Sequence, residues 1–320
     1  MQTTVNLPTG QYMPIVGYGT WQAAPEELEV AINTALEAGY RHIDTSPVYM
    51  NEYVIGNVLK KWLDSGKIKR DDLFIVTKLP PSGNRPAGVE KHLKKSLRNL
   101  QINYLDLYLI HTPFAFIDVE NNFQPKDENG HLLIDSSTDH LAVWREMERM
   151  VINGLTKAIG ISNFNLKQIE NIVNIAKIPI SMLQIELHLY FQQQETVQYC
   201  KNKGIPITAY SPLGSRGLVK LLCKSDTLPN LLENPTVLKL SKKYNKTPAQ
   251  IALKYIIEKS IAVIPKSINQ QRIKDNIRLF DWKLDSEDVL ALSKLDQGPK
   301  GRICDFEFLC GVKNHPEFPF

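Results

Sequence analysis

The stretch GYGTWQ, Gly17 to Gln22, decides how the rest of the chain is read. Two glycines separated by one residue suggest the G-x-G-x-x-G turn that opens a dinucleotide-binding sheet. In that turn one glycine lets the backbone approach a pyrophosphate and the last lets helix and strand pack closely. Here Gln22 stands where the third glycine is required, and no ribose-binding acid follows at the expected distance. The fingerprint fails, and an open sheet of that kind loses ground.

Outward from this point the chain alternates short apolar runs with amphipathic helices. Glu26 to Ala38 carries Leu28, Ala31, Ile32, Ala35 and Leu36 at helical spacing, and the apolar run Leu73 to Val76 comes later. Val89, Leu93, Leu97 and Leu100 mark a helix with its charges on the other face, and LDLYLI (Leu105 to Ile110) follows. The pattern continues with a helix near Leu141 to Ile152, a run at Ala158 to Ile161, a helix from Leu166 to Ile175 and a run at Met182 to Leu189. Next come a helix near Glu195 to Lys203, IPITAY (Ile205 to Tyr210), a helix capped by Thr247 and opened by Pro248, and IAVIP (Ile261 to Pro265). Short, near-continuous apolar runs suit strands buried on both faces, and strand-then-helix repeated about eight times implies parallel strands joined by crossovers. A doubly wound open sheet and a closed (β/α)8 barrel both satisfy that pattern, the failed fingerprint weighs against the open sheet, and a single α/β domain across residues 1–320 is expected.

The ends of the runs are unusual. In HIDTSPVY an apolar approach stops at Asp44, with Tyr49 close behind. Lys78 follows LFIVT, His111 follows LYLI, Ser162 and Asn163 follow AIGI, Tyr210 and Ser211 end IPITAY, and Lys266 and Ser267 end IAVIP. Gln184 is polar early in its own run. A single acid at a strand end is ordinary turn chemistry. Many strands delivering polar groups to one barrel mouth point instead to an active site. Four of these groups make a chemical unit. A tyrosine is a reluctant acid with a pKa of about 10. An adjacent Lys78 ammonium is expected to lower that value, with Asp44 as its counter-charge. A neutral His111 can donate to a carbonyl oxygen. No serine or cysteine nucleophile with its base and no metal-ligand cluster is evident, and a proton donor alone does not reduce a carbonyl, so hydride must come from a cofactor.

Composition removes other classes. The 320 residues are 43% hydrophobic and 22% charged, ordinary for a soluble globular protein, and a net charge of +4 is too mild for a nucleic-acid stripe. Four cysteines without metal or redox spacing read as free thiols in a reducing compartment. MQTTVNLPTG has neither a basic start nor an apolar core, and no run is long enough to span a bilayer, so a cytoplasmic location and no membrane partner are expected.

The motifs GYGTW, GYRHIDTSPVY, IVTKL, LDLYLIHTP, IGISNF, QIELH, AYSPLGS and IPKSINQQRIKDN together are highly specific, and the whole chain resembles the aldo-keto reductases. The resemblance implies a (β/α)8 barrel with an N-terminal β-hairpin and long substrate-pocket loops at its C-terminal face, and NADPH-dependent reduction of aldehydes and ketones with Asp44, Tyr49, Lys78 and His111 as the catalytic tetrad. It implies that Ser162, Asn163 and Gln184 hold the nicotinamide carboxamide and that Tyr210 stacks on the ring, with Gly19, Thr20, Trp21 and Asp44 lining the same site. Ser211, Pro212, Leu213 and Ser215 would clasp the pyrophosphate, and Pro265, Lys266, Ser267, Ile268, Asn269, Arg272 and Asn276 the adenosine end. Lys266 and Arg272 also have a rationale of their own, since a 2′-phosphate calls for cations.

Pro80 and Thr112 stand near where aldose-reductase-like members carry tryptophans, so a less aromatic, roomier pocket is expected, with Trp21, Val48, Tyr49, His111, Phe114 and Phe306 in contact with substrate. Residues 112–137 and the tail from Gly298 to Phe320 are expected as its walls. KLPPSGNRP and HTPFAF look like invertebrate members of the family, which suggests ecdysteroids or other ketosteroids and sugar-derived carbonyls as substrates of a monomeric enzyme. The rival reading is an NADPH-binding barrel kept as a crystallin or a channel accessory subunit.

Overall fold

The computed structural model describes residues 3–224 and 227–320. A two-stranded antiparallel hairpin, β1 (Thr4–Asn6) and β2 (Tyr12–Pro14), precedes eight parallel strands: β3 (Tyr18–Gly19), β4 (His42–Asp44), β5 (Phe74–Leu79), β6 (Leu107–Ile110), β7 (Ile159–Ser162), β8 (Leu183–Glu186), β9 (Ile207–Tyr210) and β10 (Ala262–Val263). Each strand pairs with the next in sequence order. The sheet then closes on itself: Val16 bridges Val263, Gly17 N donates to Val263 O at 2.8 Å, and Gly19 N donates to Pro265 O at 3.3 Å. The fold is a (β/α)8 barrel.

The two glycines of the opening stretch serve this seam. A Cβ on Gly19 would lie 2.6 Å from the Ile264 carbonyl oxygen, and one on Gly17 would lie 2.5 Å from His42 Nδ1. Both positions require glycine because neighbouring groups come too close for a side chain.

The helices are α1 (Pro25–Glu37), α2 (Glu52–Asp64), α3 (Pro86–Leu100), α4 (His140–Ile152), α5 (Leu166–Val173), α6 (Gln194–Lys203), α7 (Arg216–Leu221), α8 (Pro235–Tyr244), α9 (Pro248–Ile257), α10 (Gln270–Asn276) and α11 (Ser286–Ser293). Thr247 caps α9 as expected: its side chain accepts from Gln250 N while the Gln250 side chain accepts from Thr247 N, a reciprocal capping box. Helix α2 was not read from the sequence, although Val54, Ile55, Val58, Leu59 and Trp62 bury one face of it.

The hairpin sits at the N-terminal end of the barrel. Pro14 O lies 2.9 Å from His42 Nδ1, at the start of β4, and Thr9 Oγ1 lies 3.2 Å from Ser181 Oγ, just before β8. At the opposite end, residues 112–137, the segment carrying α7 and the C-terminal tail form a second apolar core that includes Phe114, Phe116, Leu218, Val219, Ile303, Phe306 and Val312. Among the described residues no helix is long and apolar enough to cross a membrane.

Candidate active site

Asp44 closes β4 and is almost completely buried. A buried carboxylate must be paired and hydrogen-bonded to remain charged. Lys78 Nζ donates to Asp44 Oδ1 at 2.6 Å, and Gln184 Nε2 donates to Oδ2 at 2.7 Å. The ammonium also donates to Thr45 O at 2.9 Å, and its side chain is fully buried. Burial pulls the Lys78 pKa below its ordinary value despite the attraction of Asp44.

Tyr49 ends a single 3-10 turn, Pro47–Tyr49, which carries it back over the strand ends. Ser46 O accepts the Tyr49 N–H at 3.0 Å, and Met50 leaves the turn with φ 57°. The Tyr49 ring meets His111 edge-on with centroids 5.8 Å apart, and Lys78 Nζ lies 5.3 Å from the Tyr49 centroid. The expectation that Lys78 lowers the tyrosine pKa is corrected here. Burial pushes Tyr49 well above its usual value, and the Asp44 and Cys304 charges add to the rise. The lysine's charge is directed at Asp44, so Tyr49 rests as a neutral phenol. Burial, reinforced by the Lys78 charge, holds His111 well below the ordinary imidazole value, so the ring is neutral as expected. His111 Nδ1 lies 3.0 Å from Ser46 Oγ.

Thr45, Ser46 and Asn51 brace this centre and were missed in the sequence. Asn51 Nδ2 donates to Thr20 O at 2.9 Å, and Thr20 Oγ1 donates to Asp44 O at 2.9 Å. All three missed residues are buried. In the sequence they read as ordinary loop polarity; their position between Asp44 and the buried face of α2 was the available signal.

The remaining expected residues surround the same mouth. Asn163, with φ 65°, donates to His111 O at 2.9 Å and accepts from Tyr210 OH at 2.8 Å, tying three strand ends together. Ser162 is buried beside it, with Oγ 3.1 Å from Asn163 Nδ2. Beyond β9, Ser211 and Ser215 adopt left-handed backbone (φ 51° and 33°) around Pro212 and Leu213, and Gly214 N donates to Ser211 O at 2.9 Å. At the seam, Pro265 O accepts from Gly19, Tyr18 OH donates to Ser267 O at 2.6 Å, and Ile268 is exposed. Asn269 Oδ1 caps α10 by accepting from Arg272 N at 2.9 Å, and Asn276 is buried in the same helix. Lys266 Nζ donates to Gln22 O at 2.9 Å. Among the described residues neither Lys266 nor the Arg272 guanidinium enters an ion pair, so both charges are available to an anion.

Of the residues expected against substrate, Trp21, Val48, Tyr49 and His111 are partly accessible. Phe114 is fully buried, its ring edge-on to Phe306 with centroids 5.1 Å apart, and Phe306 is itself 8% exposed. These two phenylalanines back the pocket as part of the second core rather than presenting open faces. Phe308, 45% exposed, and Phe320, 47% exposed, are the exposed phenylalanines of the tail.

Residues 15–297 match the family model described as the aldo/keto reductase family. Mouse aldo-keto reductase family 1 member A1 is 43% identical over 323 residues, spanning 99% of this chain and 98% of its own length. The human protein of the same name is 42% identical over 321 residues, spanning 99% and 97%. The solved aldose reductase of Schistosoma japonicum superposes with a TM-score of 0.91 at 38% identity, covering 100% of this chain and 99% of that one. With a closed barrel, a polar mouth and matches spanning almost its whole length, the chain belongs to the aldo/keto reductases, a family of nicotinamide-dependent oxidoreductases.

Proposed function

We propose that the chain reduces aldehydes and ketones to alcohols with NADPH, and that Tyr49 delivers the proton. The observation that carries this reading is the buried Lys78–Asp44 pair at 2.6 Å, with Tyr49 and His111 beside it at one end of the barrel. NADPH, when bound, supplies hydride to the carbonyl carbon.

Neutral His111 donates a hydrogen bond to the carbonyl oxygen and fixes its direction. Tyr49, held as a neutral phenol by burial, gives its proton to that oxygen as negative charge develops there. The phenolate left behind is stabilised by Lys78, whose ammonium is held in place by Asp44 and Thr45 O. In this scheme Lys78 acts on the charged product of the proton transfer.

The donor set fits the dinucleotide. Ser162, Asn163 and Gln184 would hold the carboxamide, and the Tyr210 ring would offer a stacking face. The turn from Ser211 to Ser215 would hold the pyrophosphate. Lys266 and Arg272, free of ion pairs among the described residues, favour the 2′-phosphate of NADPH over NADH. The likeness of KLPPSGNRP and HTPFAF to invertebrate members supports ketosteroids, ecdysteroids and sugar-derived carbonyls as substrates. A monomer folded as one domain over residues 1–320 and working in the cytoplasm completes the proposal. Loss of NADPH absorbance across aldehydes, ketosteroids and sugar ketones tests it. Saturable binding of NADPH with no turnover on any of them would leave a barrel that has kept its cofactor but not its chemistry.

A further inference from the structure

Ser46 is fully buried at the N-terminal boundary of the turn that carries Tyr49, and among the described residues its hydroxyl makes one hydrogen bond, to His111 Nδ1 at 3.0 Å. A neutral imidazole has one N–H donor and one bare acceptor nitrogen, and the partner of one nitrogen decides the role of the other. A buried hydroxyl proton without an acceptor is costly, and His111 Nδ1 is the acceptor within reach of Ser46. The serine must therefore donate, Nδ1 must be bare, and the ring proton must sit on Nε2. The neutral state that this requires agrees with the burial of the ring.

We propose that Ser46 is a positioning residue that holds His111 in the Nε2–H tautomer, so that the imidazole presents a donor to the substrate carbonyl. The same residue holds the proton donor, because Ser46 O accepts the Tyr49 N–H at 3.0 Å. One serine thus sets the register of both groups that act on the carbonyl oxygen: its carbonyl places Tyr49, and its hydroxyl orients His111. The two functions separate cleanly, since Ser46→Ala keeps the backbone acceptor and removes only the hydroxyl. The assignment rests on the carbonyl-reductase reading for its consequence in catalysis, but not for the tautomer itself.

The test has two readouts. In protein labelled with 15N-imidazole histidine, long-range 1H–15N spectra of the seven histidines report which nitrogen of each ring carries the proton. His111→Gln identifies the His111 signals by their loss. In the wild type, His111 should show a protonated Nε2 and a bare, hydrogen-bonded Nδ1. Ser46→Ala should give mixed or reversed tautomers. With a ketone substrate and NADPH, Ser46→Ala should lower kcat/KM about 2- to 12-fold, the effect of one lost hydrogen bond, with NADPH affinity unchanged. In the His111→Gln background the same substitution should have little further effect. An Nδ1–H tautomer in the wild type, or an unchanged tautomer in Ser46→Ala, would overturn the proposal. If the expected tautomers were found in a protein without reductase activity, the assignment of Ser46 would stand and the functional reading would fall.

Discussion

Gln184 reaches across the barrel to Asp44, its Nε2 2.7 Å from Oδ2. In the closed eight-stranded sheet β8 and β4 stand four positions apart, so this bond spans the diameter of the mouth. Lys78 takes the other oxygen from the adjacent strand. Asp44 is therefore the point at which opposite walls of the site are joined. Gln184 spends one of its two amide N–H donors on Asp44, so in the proposed carboxamide site its second N–H and its carbonyl oxygen would be what it offers.

Removing either partner of Asp44 should destabilise the protein, to different degrees. Gln184→Met should cost about 1.5–3 kcal/mol, the range for a hydrogen bond to a charged group. Lys78→Met should cost roughly 3–5 kcal/mol, because it strands a buried carboxylate. Adding Asp44→Asn to Lys78→Met should recover part of that loss, since no unpaired charge then remains. Urea denaturation of the single and double variants measures all three values. Strict additivity would contradict the pairing.

Tyr49→Phe should lower the single-turnover rate of ketone reduction by about 10²–10⁴-fold, the usual share of general acid catalysis, with NADPH binding nearly unchanged. Neither His111 nor Tyr49 should give wild-type turnover a titration step near neutrality, because burial moves the first down and the second up; Lys78, which burial also moves down, is the group that should limit turnover on the alkaline side. A folded Tyr49 value above the unfolded one means that the native state holds this proton more tightly. The stability it contributes is full below about pH 10 and is lost as pH rises through the folded value. A tyrosine-dependent loss of kcat near neutrality, absent from the phenylalanine variant, would show that the lysine lowers the resting pKa after all.

Arg272→Ala should weaken NADPH binding by about 1.5–3 kcal/mol and NADH binding much less, since only the former brings a 2′-phosphate to the guanidinium. Fluorescence titration with both cofactors separates the outcomes. Equal losses would move the phosphate contact to Lys266 or elsewhere.

In the tail, Phe306 and Phe308 should behave oppositely. Phe306→Ala removes a buried ring that packs on Phe114 and stacks on Phe320, and should cost about 3–5 kcal/mol of stability. Phe308→Ala, at an exposed position, should change stability little and raise KM for bulky ketones more than for small aldehydes. Thermal unfolding beside steady-state kinetics on two substrate sizes is sufficient. Deleting Asp305 to Phe320 would mix the two effects, because Lys224 Nζ binds Asp305 and the segment carrying α7 packs on the tail.

Parallel strands were legible because strands buried on both faces leave continuous apolar runs; the failed glycine fingerprint at Gln22 weighed against the open sheet, and the family motifs implied the barrel. Asp44, Lys78 and His111 were legible as polar endings of those runs, with Tyr49 five residues after Asp44, and their motifs carried the family. Local sequence could not assign the directions of the interactions. The Lys78–Asp44 pair was legible, but that burial rather than Lys78 dominates the Tyr49 pKa depends on distances between separate strands. Phe114 and Phe306 looked like pocket aromatics because sequence shows an aromatic but not what covers it; packing of the tail against residues 112–137 and α7 buried both. Ser46 looked like part of a turn until the barrel brought β6 beside it. The sequence by itself determined the alternation, the family and the chemical groups at the mouth. Only the tertiary structure decided their partners, because hydrogen bonds and desolvation depend on which distant segments meet.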